Sequence, residues 1–313
     1  MNFTLKQLRY IEATGRLGAI AKAANELNIS QSSITAAIGA LESQIGFDLF
    51  VRTPAKGIQI TPAGHETLKL IRSFITQSHH FEAEMIAIGG NATGSVRISC
   101  YATAAPSFLP PILKNFKTNY PNTSIKLLEG NMEATMGYLN NGEADVAFTY
   151  EEMLEDRQDF TPLFSAPPYA LMAADDPLAQ GTSVSLVDLA ERPMIMLDLP
   201  RTNAYFTSMF SALGLKPNLA HSTRSVEIVR ALVSSGHGYS ILNIFPPNYN
   251  VDDTRFRALP IRDEVNAPVF GIVTLAGTTQ PSIVKAFIEQ CVDLKKAGVF
   301  DQIVVKGNHP FPH

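Results

Sequence analysis

A chain of 313 residues holds about two domains at roughly 150 residues each. Its 45% apolar and 17% charged residues exclude a disordered chain, a coiled-coil rod and a disulfide-stapled miniprotein. The net charge of −4, taken as a bulk figure, gives no pointer to nucleic acid. Cys100 and Cys291 are too far apart in sequence, and too few, for a disulfide framework or a metal cluster, and they suit a reducing cytosol. Met1 to Gln7 contains no apolar run of signal-peptide length, and no window approaches the roughly 20 apolar residues of a membrane helix. The expectation is a cytoplasmic chain, in which the Asn-x-Ser/Thr triplets at Asn2, Asn91 and Asn122 are chance matches.

The charge is uneven along the chain. Residues 1–65 carry six bases (Lys6, Arg9, Arg16, Lys22, Arg52 and Lys56) against four acids, residues 66–90 carry a net −1, and residues 91–313 carry a net −5. In the basic segment, Leu5, Leu8 and Ile11 start a helix, and Ile20, Ala23, Ala24 and Leu27 follow the i, i+3, i+4, i+7 spacing of a second. Ser30 is a good N-cap for a third helix, in which Ile34, Ile38, Leu41 and Ile45 share one side and Gly46 is the stop. A connection of about three residues between the second and third helices, with small alanines where they approach, is helix-turn-helix spacing.

The third helix leaves Gln31, Ser32, Ser33, Thr35 and Ala36 off its buried side. In such a motif these N-terminal positions reach base edges in the major groove: hydroxyls and Gln31 can hydrogen-bond, and Ala36 can meet a thymine methyl. Leu49 to Thr53, a Lys56-Gly57 turn and Ile58 to Ile60 read as the two arms of a wing, with Arg52 and Lys56 suited to phosphates. Periodicity alone also fits a helical module that binds a protein partner.

Pro62 opens the next helix. Ile71, Phe74, Ser78, Phe81, Met85 and Ile88 then recur as a heptad seam, suited to pairing two copies or to packing on the chain's own second half. His79 and His80 beside it read as solvated. Gly89-Gly90-Asn91-Ala92-Thr93-Gly94 marks a hinge. The domain reading is a head at 1–65, a linker helix at 66–90 and a ligand-binding domain at 91–313.

That last domain alternates strand and helix. Val96, Ile98 and Cys100 point inward from a strand, and Phe108, Leu109, Ile112, Leu113 and Phe116 line a helix opened by Pro106. Ile125 and Leu127, then Met132, Met136 and Leu139, then 145–148 continue the order, which implies a parallel sheet with right-handed crossovers. The order restarts with strands at 193–197, 220–224 and 239–242 around helices at 203–213 and 225–235. A strand at 269–275 and a helix at 283–295 return to the first lobe. The lobes are taken as 91–163 with 267–300, and 164–266.

In open α/β sheets ligands bind beyond the C-terminal strand ends. Those positions hold Thr103, Asn131, Thr149, Leu199, Arg201, Thr202, Arg224 and Ser225. Hydroxyls, helix N-termini and two arginines together favour an anion, although each hydroxyl taken singly also fits a helix cap.

Several linked segments, Leu5 to Tyr10, Ala21 to Thr35, Leu41 to Gly46, Leu49 to Thr53 and Ile60 to Gly64, closely resemble the LysR-type transcriptional regulators. The resemblance implies an all-α winged helix-turn-helix head with a long linker helix, followed by an α/β two-lobed effector domain similar to type II periplasmic binding proteins. It implies DNA contacts at Gln31, Ser33, Thr35, Arg52 and Thr61, and an effector cleft at Thr103, Thr149, Thr202 and Ser225. The implied partners are double-stranded promoter DNA, a small-molecule effector, and further copies of the chain in a homodimer or homotetramer; no cofactor or metal is expected. The family often has Pro where this chain has Ser32 and Arg where it has Ala36, so the third helix here grips DNA with less charge.

The alternative is a cytoplasmic small-molecule binding protein or an enzyme on the periplasmic-binding-protein-like fold. Against an enzyme, the sequence has no Gly-x-Ser-x-Gly, no P-loop and no metal-spaced Cys/His cluster. Gly236-His237-Gly238 leads into a strand rather than a helix, unlike a dinucleotide loop. The tail His309-Pro310-Phe311-Pro312-His313 reads as a disordered end.

Overall fold

A computed structural model describes residues 3–53, 57–88, 94–156, 158–246, 255–277 and 279–306. Lys56, the hinge residues 89–93 and the tail 309–313 lie outside them, as do the side chains of Arg52, His80 and Ile88. Contacts divide the chain into two units, one N-terminal and one formed by nearly everything from Gly94 onward.

The N-terminal unit begins with helix α1 (Leu5–Leu17), started by a reciprocal cap in which Gln7 N donates to Thr4 Oγ1 and Thr4 N donates to Gln7 Oε1. Helix α2 (Ile20–Leu27) ends on Asn28 at φ 54°, a left-handed conformation that Asn tolerates. Helix α3 (Gln31–Ile45) runs from the Ser30 cap to Gly46. Leu8, Ile11, Ala23, Ala24, Ile34, Ile38 and Leu41 form the core, with Ile20, Leu27 and Ile45 half-buried against it. Strands β1 (Phe50–Thr53) and β2 (Gly57–Ile60) pair antiparallel as the wing.

Helix α4 (Pro62–Ile88) divides the expected seam between two faces. Ile71 is buried in the head's core together with Leu68, while Leu70, Phe74, Phe81 and Met85 form an exposed stripe at spacings of 4, 7 and 4. The first turns of α4 pack on the head, which diverts Ile71 and puts Leu70 in its place.

The second unit contains a five-stranded sheet. Strand β3 (Ser95–Tyr101), helix α5 (Ala105–Asn119), strand β4 (Ser124–Gly130), helix α6 (Met132–Asn140) and strand β5 (Val146–Tyr150) follow the expected order, and β3 pairs parallel to β4 and β5. Strand β6 (Gln158–Ser165) was not legible as an element, and the chain leaves the sheet after it.

The next elements build a second lobe: β7 (Tyr169–Ala173), α7 (Leu186–Ala190), β8 (Pro193–Leu197), α8 (Thr202–Ala212), β9 (Asn218–Thr223), α9 (Val226–Ser234), β10 (Ser240–Leu242) and β11 (Phe256–Pro260). The expected parallel order holds for β8 with β9, joined by a parallel bridge from Met194 to Tyr239. It does not hold for β10, which pairs antiparallel to β7, as does β11.

Strand β12 (Val269–Leu275) then returns to the first lobe between β5 and β6, antiparallel to both, and helix α10 (Ser282–Lys296) covers α5, with the rings of Phe116 and Phe287 at 5.0 Å. Two crossings, 166–168 and 261–268, therefore join the lobes.

Gly271 occupies the register shift between β12 and β6, where a Cβ atom would lie 2.4 Å from the Thr161 carbonyl oxygen and 2.7 Å from the Phe160 ring. We expect Gly271→Ala to cost about 1–3 kcal/mol in denaturant unfolding. An unchanged midpoint would show that β6 shifts freely away from β12.

Candidate functional site

On α3, Gln31, Ser32, Ser33, Thr35 and Ala36 are all exposed, while Ile34, Ala37, Ile38 and Leu41 face inward. The Ser30 hydroxyl accepts from Ser33 N at 3.2 Å and lies 2.9 and 2.8 Å from the hydroxyls of Ser32 and Ser33. Ser30 thus extends the hydroxyl cluster at the helix N-terminus, beyond its role as a cap. Thr35 Oγ1 donates to Gln31 O, so what it offers outward is an acceptor oxygen and a methyl group.

Thr61 does different work. Its hydroxyl donates to Asp48 O and accepts from Gly64 N, both at 2.8 Å, which fixes the start of α4. Glu42 was not singled out from sequence, yet its Oε1 accepts from Leu49 N and Phe50 N and anchors the wing to the back of α3.

In the second unit a cleft lies between the lobes. Tyr101, Thr103, Tyr150 and Glu152 line it from the first lobe, and Arg201, Thr202, Tyr205, Phe206 and Arg230 from the second. Asn243 and Pro268 line it beside the crossings. The Tyr101 hydroxyl is 3.4 Å from Thr202 Oγ1 and also hydrogen-bonds the Thr103 side chain, so one buried phenol joins both lobes. Burial raises the phenol pKa values of Tyr101, Tyr150 and Tyr205, the last to about 12, and keeps all three neutral at physiological pH. Arg201 stands at the mouth with φ 64°, in a tight turn closed by Thr202 N donating to Pro200 O. Its Nε is 3.3 Å from Glu133 Oε1 of the opposite lobe.

Of the eight expected cleft residues, Thr103, Arg201 and Thr202 are brought together here. Leu199 and Arg224 line a separate open groove along α8, which Arg201 also borders. That groove contains Asp198, whose carboxyl is held below its usual range by hydrogen bonds from Asn203 and Ser222. A fixed negative charge there opposes an anion. Asn131 Oδ1 accepts from Ala134 N, and Ser225 Oγ accepts from Ile228 N; both side chains cap helices. Thr149 is fully buried in β5, and its hydroxyl has no hydrogen-bond partner among the described residues.

Sequence reasoning passed over Tyr101, Tyr150, Tyr205 and Arg230. Tyr101 and Tyr150 are the last residues of β3 and β5, at the strand ends where ligands were expected. Arg230 interrupts the apolar face formed by Val226, Val229 and Val233 on α9, which was a visible signal.

Residues 89–295 match the LysR substrate binding domain, and residues 5–65 match the bacterial regulatory helix-turn-helix protein of the lysR family. The chain belongs to the LysR family of transcriptional regulators. HinK, a LysR family transcriptional regulator from Pseudomonas aeruginosa, is 31% identical at a TM-score of 0.60, over 93% of this chain and 98% of its own. The HTH-type transcriptional regulator cbl of Klebsiella aerogenes is 25% identical over 93% of this chain and 92% of its own. Full-length OxyR from Pseudomonas aeruginosa shares the fold at a TM-score of 0.69, with 20% identity over 93% of this chain and 98% of its own. LysR regulators bind promoter DNA, answer to small-molecule effectors and act as oligomers. This regulator carries both the DNA-binding and the effector-binding part.

Among the described residues, no helix is long and apolar enough to cross a membrane, and no three of His, Cys, Asp and Glu are placed to hold a metal ion. Both thiols are buried, which pushes Cys100 up to about 11 and Cys291 up to about 12. Little thiolate forms at neutral pH, and access to it is closed. We expect neither thiol to react with a disulfide reagent at pH 8 in the native regulator, and both to react after denaturation. Rapid native labelling would contradict their burial.

Proposed function

We propose that this regulator is controlled by a small anionic metabolite bound in the cleft between the lobes of residues 91–313, the first lobe being 91–163 with 267–300 and the second 164–266. The supporting observation is that two arginines, Arg201 and Arg230, and the hydroxyls of Tyr101, Thr103 and Thr202 line one cleft from both lobes. The cleft encloses a cavity of about 60 Å³, where one water needs roughly 10–15 Å³. Of the other positions expected at the effector site, Asn131 and Ser225 cap helices, Thr149 is buried in β5, and Leu199 and Arg224 line the α8 groove rather than this cleft.

Head and linker complete the reading. Residues 1–65 contact DNA through Gln31, Ser32, Ser33, Thr35 and Ala36, with Arg52, Lys56 and Thr61 at the wing and backbone. The helix at 66–90 pairs two copies, supported by the exposed stripe of Leu70, Phe74, Phe81 and Met85. The protein works in the cytoplasm and does no catalysis. A ligand in the cleft shifts the arrangement of the paired heads on a pseudo-palindromic promoter site.

The test is a thermal-shift screen of small anionic metabolites on the full chain, since a ligand at 100 times its Kd stabilises by about 2.7 kcal/mol. Thr202→Ala should lose most of that stabilisation while promoter-DNA affinity in the absence of ligand stays unchanged. An undiminished ligand response in Thr202→Ala would remove the cleft from consideration.

A further inference from the structure

The Arg230 side chain is only 8% exposed, a rare state for an arginine. A guanidinium cannot shed its charge at any pH a protein meets, so burial has to be offset by partners. One such partner is Glu227, 3.8 Å away and itself 65% exposed, which leaves much of that carboxylate in water. Another is the Tyr169 hydroxyl, a neutral group that also lies 3.4 Å from the Ile244 carbonyl. Arg230 also lines the cleft.

The other charges at the cleft have different positions. Arg201 is 60% exposed and faces Glu133, so it belongs to the rim. Glu152, in the first lobe, is exposed. The Asn243 amide is engaged, since Nδ2 donates to Ala166 O at 2.7 Å. Thr103, Thr202 and the phenols add hydroxyls, of which those of Tyr101 and Thr202 face each other at 3.4 Å, and the remaining lining is mainly rings and aliphatic groups. Tyr101 and Tyr150 meet edge-on at 6.2 Å, Tyr205 and Phe206 pack at 5.2 Å, and Met132, Leu197 and Val226 fill between them.

A buried arginine in the wall of a chamber lined mainly by rings and aliphatic groups matches one chemical class. Arginine binds a carboxylate through two parallel hydrogen bonds. Phosphate or sulfate needs donors on every side, and apolar walls would leave its other oxygens unpaired. Building on the cleft reading above, we infer that Arg230 is the anchor for the effector's carboxylate, and that the effector is a small monocarboxylate whose short apolar body lies against Tyr101, Tyr150 and Phe206.

The test uses the full-length protein with defined probes at matched ionic strength: butyrate and hexanoate against butyramide and hexanamide, read by thermal shift and calorimetry. The carboxylates should raise the melting temperature and the amides should not. Arg230→Gln should lose at least about 30-fold in carboxylate affinity, the loss expected when one partner of a buried charge pair is truncated. Arg230→Lys keeps the charge and stem but not the fork; it should lose about tenfold, and it decides the matter if the Gln variant does not fold.

Equal responses to acids and amides, or no response to either carboxylate, would overturn the ligand class. Full carboxylate affinity in folded Arg230→Gln or in Arg230→Lys would overturn the anchor. The two readings separate through Thr202→Ala. If it loses affinity while the Arg230 variants keep it, the cleft stands and the anchor falls; if all three keep it, the cleft reading falls as well.

Discussion

The hydrogen bond from Ala166 N to Pro268 O, 2.9 Å long, joins the two segments of chain that cross between the lobes. The crossings exist because β12, after the whole second lobe has been built, returns to the middle of the first lobe's sheet. A chain that ran once from lobe to lobe would leave a single tether. Two crossings bonded to each other make a defined joint, and the Asn243 side chain strengthens it by donating to Ala166 O. Asn243 and Pro268 also line the cleft. The cleft lining therefore includes the residues that set the lobes' connection, and a molecule bound there would bear directly on that joint.

Charge is distributed along the same lines. In the head, Arg16 pairs with Glu26, and Arg16 and Arg72 both approach Glu12, so part of the basic excess is spent within the unit. What remains at the tip of α3 is a set of hydroxyls and Gln31 rather than a cluster of cations. A modest electrostatic grip per head favours function in the oligomeric state, where several weak contacts act on one tethered site. In the effector domain the order is reversed: a buried arginine lines a mainly apolar cleft, where a charge is poorly screened.

The sequence revealed most where periodicity and caps act together. Helices α1 to α3 were legible because Ser30, Gly46 and the spacing of Ile34, Ile38 and Leu41 agree with one another. The strand–helix alternation through β5 was legible for the same reason. Strand β7 was not, because all five of its residues are buried and a strand covered on both faces shows no alternation. The antiparallel pairing of β10 followed from that omission, since its partner was missing from the reading. Within the cleft, Thr103, Arg201 and Thr202 came from the rule about strand ends. Asn131 and Ser225 came from the same rule but cap helices, because a hydroxyl or amide at a helix start serves the helix's own N–H groups first. Tyr101, Tyr150 and Arg230 needed three-dimensional packing: two tyrosines at strand ends and one arginine on an apolar helix face line one cleft only when the second lobe is set against the first.

The most direct measurement is a crystal structure of the regulator with a stabilising carboxylate bound. It should place the carboxylate within hydrogen-bond distance of the Arg230 guanidinium, with the apolar body between Tyr101 and Phe206. A ligand seated instead in the α8 groove beside Arg224, with the cleft unchanged, would contradict the account.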